Sequence, residues 1–163
     1  MDATTDATRD ASTDVPGDVT GDATSTPFER FGGHDFFDLL IARFYAGVAT
    51  DPVLRPMYPE EDLGPAAERL QLFLEQYWGG PTTYSQRRGH PRLRKRHEPF
   101  RVDATAHDAW LRHMRAALDE AAATFGLAPQ DEAELWDYLQ RAAQAMVNVY
   151  PGPPGDRSRQ SLA

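Results

Sequence analysis

The sequence predicts an all-α domain between residues 28 and 150, with an acidic segment before it and a proline- and glycine-rich segment after it. Apolar residues recur at spacings of three and four, the period of a helix with one buried face, and no segment alternates as a half-buried strand does. The length of 163 residues suits a single domain. The chain has no cysteine, which excludes disulfide scaffolds, cysteine nucleophiles and thiolate metal sites.

Residues 1–27 are the predicted acidic extension. Six aspartates recur at every fourth position from Asp2 to Asp22, and with one arginine they give the stretch a net charge of −5, most of the −8 of the whole chain. Like charges at this spacing repel on a helix, and the stretch has little apolar surface to bury. We therefore expect a disordered, solubilising extension, with a docking or regulatory role as the alternative. Residues 151–163 are expected to be a flexible tail.

The first two predicted helices span residues 36–49 and 65–78. Asp35 is the expected cap of the first helix. An aspartate followed by proline at Asp51 is typical of a helix start and predicts a short helix there. The second helix must end where Gly79 begins a Gly-Gly-Pro sequence.

Two further helices are predicted at residues 103–125 and 129–150. Gly126 ends the first of them. Residues 82–101 have little apolar period and many charges, so they are predicted to be irregular. A compact domain seldom contains about 20 residues without regular structure unless they serve a function, and this stretch is therefore where a site is expected.

His97 is the main candidate ligand in this stretch. It lies just before Pro99, where a helix must stop, and four residues after Leu93. Carbonyl groups at a helix end can fix an imidazole tautomer by accepting the other ring N–H. A neutral imidazole with Arg94 and Arg96 nearby suits an iron porphyrin, whose propionates pair with cations.

Two alternatives to such a site remain open. Residues 87–101 contain seven Lys or Arg and two His, so a non-haem helical module could use this basic segment to bind nucleic acid or a protein partner. No nucleic-acid motif is present and the chain is acidic overall, so we expect no nucleic-acid binding. Zinc and di-iron sites are disfavoured because the histidine spacings do not match their helical motifs.

Three aromatic residues with a polar atom are predicted to fall at or near inward-facing positions of three separate helices: Tyr45, Tyr58 and Trp110. Aromatic residues at helical spacing are usually core, and the spacing alone favours that interpretation. A buried phenol or indole nevertheless needs a hydrogen-bond partner, so the three donors could instead serve a bound polar ligand.

A series of short sequence motifs indicates a protein family. They are Arg43-Phe44-Tyr45, Tyr58-Pro59, Phe73-Leu74-Glu75-Gln76-Tyr77-Trp78-Gly79-Gly80-Pro81, Gly89-His90-Pro91-Arg92-Leu93-Arg94, Arg96-His97, Pro99-Phe100 and Ala109-Trp110. In this order they resemble the group II truncated haemoglobins, the two-on-two globins, and most closely the actinobacterial type. The resemblance covers residues 28 to 150 and not the acidic extension.

The resemblance implies a sandwich of two antiparallel helix pairs around haem b (iron protoporphyrin IX), with His97 as proximal iron ligand. It implies that Tyr45, Tyr58 and Trp110 stabilise a bound gas, because the distal histidine position is Ala66. The other implied pocket residues are Phe44, Leu70, Phe73, Leu74, Tyr84, Leu93, Phe100, Met114 and Val147. Arg94 and Arg96 are the implied propionate partners.

The implied function is high-affinity binding of O2, and of NO and CO, with slow release. Nitric oxide dioxygenation or weak peroxidase turnover would be secondary activities, so the chain is expected to be a ligand-binding protein rather than an enzyme. No flavin or nicotinamide motif is evident, so a separate reductase is expected. With no signal peptide and no apolar run of membrane-spanning length, we expect a cytoplasmic protein. A homodimer is left open.

Overall fold

The computed structural model describes residues 25–151, and the predictions for the acidic extension up to residue 24 and for the tail from residue 152 lie outside the described residues. The helices are α1 Pro27–Phe31, α2 Gly33–Val48, a 3-10 helix Arg55–Met57, α3 Gly64–Tyr77, α4 Thr83–Arg88, α5 Leu93–His97, α6 Ala104–Phe125 and α7 Pro129–Met146. The described part of the chain contains no strand, which confirms the all-α prediction. Within it, no helix combines the length and apolar character needed to cross a membrane.

The helices form two packed pairs, α2 with α3 and α6 with α7, and α2 packs against α6 to join the pairs. Apolar residues of α2 lie in the centre of this arrangement. Its fully buried side chains include Phe36, Phe37, Leu40, Ile41, Phe44 and Val48. They recur at helical spacing, so one face of α2 is buried along its whole length. The two-pair arrangement that the sequence predicts is confirmed.

The N-terminal part of the domain differs from the prediction in two ways. Helix α1 was not predicted; Thr26 caps it by accepting a hydrogen bond from the backbone N–H of Glu29 at 3.3 Å. Helix α2 begins at Gly33, after Gly32 with φ of 122°. Asp35 therefore lies in the first turn of α2 and does not cap it, although its charge still suits the positive end of the helix.

The segment predicted to be irregular contains two short helices, α4 and α5. Each has only five or six residues, too few to show an apolar period in the sequence. A turn separates them, with Gly89 at φ 73° and Arg92 at φ 43°. The guanidinium of Arg96 donates to the carbonyls of Pro91 at 2.7 Å and Arg88 at 3.0 Å, which holds this turn together.

Helix α7 ends at Met146, four residues before its predicted end. Beyond it, the backbone N–H groups of Asn148 and Val149 both donate to the carbonyl of Val102, at 2.9 and 3.2 Å. The Asn148 side chain accepts from the N–H of Val102 at 2.9 Å. These partners replace the helical hydrogen bonds, so the chain leaves α7 to pair with the segment before α6.

Asp51 follows α2 and connects it to α6. Its side chain accepts from the backbone N–H groups of Val53 and Leu54, as a cap does, but these residues form a turn. The short helix predicted here is a 3-10 helix that begins only at Arg55 and has no side-chain cap. The side chain is buried, and His113 on α6 is hydrogen-bonded to it at 2.6 Å. The hydrogen bonds from His113 and from the backbone N–H groups that Asp51 caps hold the pKa of this carboxyl well below its usual range.

Asp51→Asn is expected to make stability less sensitive to acid. A carboxylate whose pKa is lowered by folding stabilises the protein above its unfolded pKa of 3.8, and this contribution is lost as the pH falls through the folded pKa. The difference in unfolding free energy between wild type and variant should narrow as the pH falls below about pH 4. Urea titrations across this range measure it; a difference that does not narrow in acid would contradict the assignment.

Candidate functional site

His97 is the last residue of α5, and its ring is fixed by the helix that carries it. Its Nδ1 lies 2.7 Å from the carbonyl oxygen of Leu93, four residues earlier, as the spacing predicts. Because a carbonyl can only accept, Nδ1 carries a proton, and in the neutral ring the lone pair is then on Nε2. Within residues 25–151, no hydrogen bond occupies Nε2. The hydrogen bond to Leu93 therefore selects the tautomer that can bind a metal through Nε2.

Neighbouring contacts hold this helix end in place. The backbone carbonyl of His97 accepts from the N–H of Phe100 at 3.0 Å and from the side-chain amide of Asn148 at 3.2 Å. The same amide donates to the carbonyl of Phe100 at 2.8 Å. The segment after α7 thus closes over the end of α5, which explains why the chain leaves the helix at residue 147.

The structure links the three polar aromatic residues by ring contacts that run from Tyr58 through Tyr45 and Phe44 to Trp110. Tyr45 lies on α2, Tyr58 follows the 3-10 helix, and Trp110 lies on α6. The ring centroids of Tyr45 and Tyr58 are 5.7 Å apart. Phe44 lies 5.0 Å from Tyr45 and 5.2 Å from Trp110 between ring centroids. The cluster, which we call the donor cluster, comprises Tyr45, Tyr58 and Trp110.

Both phenols of the donor cluster keep their protons. Burial raises the pKa of Tyr45 well above its ordinary value, and the neighbouring Tyr58 raises it further. Burial also raises the pKa of Tyr58. An Arg69–Glu60 ion pair at 3.1 Å lies near both, and its opposite charges act on their pKa values in opposite directions. The two hydroxyls are therefore neutral O–H groups that can donate.

Apolar side chains from several helices surround this region. Phe44, Ala66, Leu74, Tyr84, Met114 and Val147 are buried, and Leu70, Phe73 and Leu93 are half-buried. Phe73 on α3 contacts Tyr84 on α4, with ring centroids 5.7 Å apart. Phe100 differs from the others, because it is 37% exposed and lines a separate surface groove with Asn148 and Val149. The structure does not place Phe100 among the buried pocket residues.

The two arginines of α5 have different roles. The guanidinium of Arg96 donates its hydrogen bonds to backbone carbonyls. Arg94 is exposed and lines an open cavity of about 570 Å³ together with Phe73 and Leu93. Within the described ranges, Arg94 makes neither an ion pair nor a side-chain hydrogen bond, so it is the arginine available to an anionic group.

The same cavity holds cations that the sequence analysis did not single out. His90, Arg92 and Lys95 line it beside Arg94. They all belong to the basic segment 87–101, which was the signal that could have identified them. Two other cations of that segment are already paired, Arg87 with Glu68 at 2.7 Å and Arg101 with Asp103 at 3.8 Å. Over residues 25–151, no group of three or more His, Cys, Asp or Glu could hold a metal ion.

The chain matches a described protein family over most of its length. The family is the bacterial-like globins, and the match spans residues 26–148. A curated group 2 truncated haemoglobin of Bacillus subtilis is 38% identical over 124 residues, which are 76% of this chain and 89% of that protein.

Solved structures of truncated and other bacterial haemoglobins are also similar to this chain in sequence and in fold. A thermostable haemoglobin of the actinobacterium Thermobifida fusca is 63% identical, with a TM-score of 0.73 over 77% of this chain and 98% of that chain. A truncated oxygen-avid haemoglobin of Bacillus subtilis is 38% identical, with a TM-score of 0.69 over 76% of this chain and 100% of that chain. Similarity therefore extends over the whole helical domain, in sequence and in fold.

Proposed function

This chain belongs to the bacterial-like globin family, as a group II truncated haemoglobin, and we propose that it binds O2 at haem b and releases it slowly. Haem-based oxygen binding follows from the family. The slow release is our inference, and the observation that carries it is the donor cluster, in which buried Tyr45 and half-buried Tyr58 and Trp110, from three parts of the chain, are linked by ring contacts.

The residues present fit a haem. His97 offers a neutral Nε2 whose tautomer is fixed by Leu93, which is the state an iron ligand requires. Arg94 is available for a propionate, whereas Arg96 supports the turn before α5. The haem supplies an iron at which a diatomic gas binds and acquires partial negative charge. His97 would hold the haem, and Arg94 would pair with one of its propionates.

The donor cluster would act on the bound gas. Tyr45 and Tyr58 keep their O–H protons, and the indole of Trp110 can only donate. Fixed donors in an apolar site stabilise negative charge strongly because they need no reorganisation. A hydrogen bond to a charged acceptor contributes about 1.5–3 kcal/mol, and about 1.4 kcal/mol is tenfold in a rate or equilibrium. Two or three donors would slow release by orders of magnitude.

Two further features support retention of the ligand by this cluster. The distal position of the family motif is Ala66, whose small buried side chain leaves the polar contacts to the three donors. The oxygen-avid haemoglobin of Bacillus subtilis shares the fold. NO and CO would occupy the same place, since all three gases are diatomic.

Slow release suits sensing, scavenging or redox work better than transport. We propose that nitric oxide dioxygenation is a secondary activity, with a separate reductase returning the iron to its ferrous state. Peroxidase turnover would be weak, because the pocket positions carry no distal histidine–arginine pair. The protein would act in the cytoplasm as a ligand-binding haemoprotein.

Stopped-flow measurement of oxygen release tests the proposal. The ferrous oxygenated protein is mixed with excess CO, and the replacement of O2 is followed by absorbance. We expect a slow, single phase limited by oxygen dissociation. Release within the mixing time of the instrument would show that the donor cluster does not hold the ligand.

Oxygen release is expected to be independent of pH from about pH 6 to pH 10. Burial raises the pKa of Tyr45 and of Tyr58 above the usual 10.0, so both phenols remain donors throughout this range. The same stopped-flow assay at several pH values measures this. Release that accelerates with a midpoint below pH 10 would mean that one of the phenols ionises and that its environment is not the one described.

A further inference from the structure

We propose that Asp51 and His113 form a positioning clamp that fixes Tyr58 and Trp110 relative to each other and so sets the rate of ligand release. The proposal rests on the function proposed above. It concerns residues outside the donor cluster. Asp51 and His113 lie 62 positions apart in the chain, with their side chains 2.6 Å apart.

Asp51 holds the turn that leads to Tyr58. Its Oδ1 accepts from the backbone N–H groups of Val53 at 2.8 Å and Leu54 at 2.9 Å. The carbonyl of Asp51 accepts from the N–H of Arg55 at 3.0 Å, the first residue of the 3-10 helix. One residue therefore orders three consecutive N–H groups of this turn.

Tyr58 is attached directly to that turn. Its N–H donates to the carbonyl of Arg55 at 3.2 Å, and the Arg55 guanidinium donates to the carbonyl of Tyr58 at 3.2 Å. The backbone of Tyr58 is thus hydrogen-bonded to Arg55 of the 3-10 helix through both its N–H and its carbonyl. A change in the turn held by Asp51 would move the phenol of Tyr58.

The other oxygen of Asp51 holds α6. Oδ2 accepts from Nε2 of His113 at 2.6 Å and from Arg112 at 3.1 Å. Trp110 lies three residues before His113, so the two side chains share one face of α6. The clamp therefore acts one helical turn from the indole of Trp110.

The packing leaves His113 little freedom to move. A Cβ at Gly47 would clash with Nδ1 of His113, so α2 and α6 can approach closely at this point because residue 47 is glycine. The His113 side chain is 23% exposed and that of Asp51 is 3% exposed. His113 is thus confined between α2 and a buried carboxylate that makes four hydrogen bonds.

The chain offers a matched control at the other end of α2. His34 lies 2.7 Å from a carboxylate oxygen of Glu75, which is also buried, and this pair ties α2 to α3. His34 is eleven positions before Tyr45, roughly 16 Å along the helix axis. Both pairs join a histidine to a buried acid on another part of the fold. The His34 side chain is 66% exposed and that of His113 is 23% exposed, and only His113 lies one helical turn from a member of the donor cluster.

The experiment compares His113→Leu with His34→Leu in the haem-loaded protein. Three quantities are measured: the oxygen dissociation rate, the infrared stretching band of CO on the ferrous protein, and the melting temperature. His113→Gln is the rescue variant, because its amide N–H can reach the position of Nε2. Asp51→Asn is a second test variant if His113→Leu does not fold.

We expect His113→Leu to release oxygen roughly tenfold faster, the equivalent of weakening donor contacts by about 1.4 kcal/mol. Its CO band should shift or broaden, because the donors no longer have one geometry. His113→Gln should restore both values, and Asp51→Asn should resemble His113→Leu. His34→Leu should lower the melting temperature while leaving the release rate and the CO band unchanged.

Two results would overturn the clamp. One is a His113→Leu protein that binds haem, with wild-type release and a wild-type CO band; the other is His34→Leu changing both as strongly as His113→Leu. Failure of the wild-type protein to take up haem would instead refute the proposed function, so the two failures are distinguishable.

Discussion

Replacing His97 with Ala is expected to abolish stable haem retention. His97 is the residue whose Nδ1 is committed to the Leu93 carbonyl, which leaves Nε2 as the free ligand atom. Alanine provides no nitrogen, so the haem would be held only by apolar contacts and by Arg94. The measurement is the ratio of haem absorbance to protein absorbance after gel filtration, for wild type and variant loaded identically. The variant should lose most of its haem on the column.

A control lies on α2, away from this segment. His34 is exposed, and its Nδ1 lies 2.7 Å from a carboxylate oxygen of Glu75. His34→Ala should retain haem like the wild type. Added imidazole should partly restore the ligand-bound spectrum of His97→Ala, because it replaces the lost ring. A His97→Ala protein with wild-type haem content and an unchanged spectrum would refute the proximal assignment.

Replacing Trp110 with Phe is expected to accelerate oxygen release by roughly tenfold to a hundredfold. The ring remains to pack against Phe44, whose centroid is 5.2 Å away, but the indole N–H is lost. A hydrogen bond to a charged acceptor contributes about 1.5–3 kcal/mol, and that range sets the expected factor. The measurement is stopped-flow oxygen release, with the melting temperature recorded to exclude general unfolding.

Trp136→Phe is the control for this variant. Trp136 lies on α7 and is not part of the donor cluster. The guanidinium carbon of Arg115 lies over its ring, 4.9 Å from the centroid of Trp136. It should leave oxygen release unchanged. An unchanged release rate in Trp110→Phe would contradict the donor account, and equal acceleration in both variants would show a non-local effect.

The sequence predicted the long helices well, because their signal is local. The buried face of α2 and the glycine that ends α6 can both be identified from neighbouring residues. The early end of α7 could not, since it depends on Val102 accepting hydrogen bonds from residues 148 and 149. Helices α1 and α4 were missed because a helix of five or six residues has no measurable apolar period, whereas α5 was predicted only as the helical turn that ends at His97.

The site residues show the same contrast between local signals, which the sequence reveals, and contacts between distant residues, which it does not. The contact between His97 and Leu93 was predictable from a spacing of four in a single helical turn. The gathering of the donor cluster came from the family resemblance, because periodicity alone could not distinguish a ligand-binding group from a packed core. Asp51 was predicted only as a helix cap, since its pairing with His113 depends on the close approach of α2 and α6 at Gly47.

The absorption spectrum of the purified protein, titrated with haemin and then reduced under CO, tests the central claim most directly. The account predicts a Soret band that saturates near one haem per chain and shifts on reduction and again on CO binding. This result would establish one haem site that is open to a diatomic gas. A protein that shows no Soret band beyond that of free haemin, at any ratio, would contradict the account and would leave His97 without a role as iron ligand.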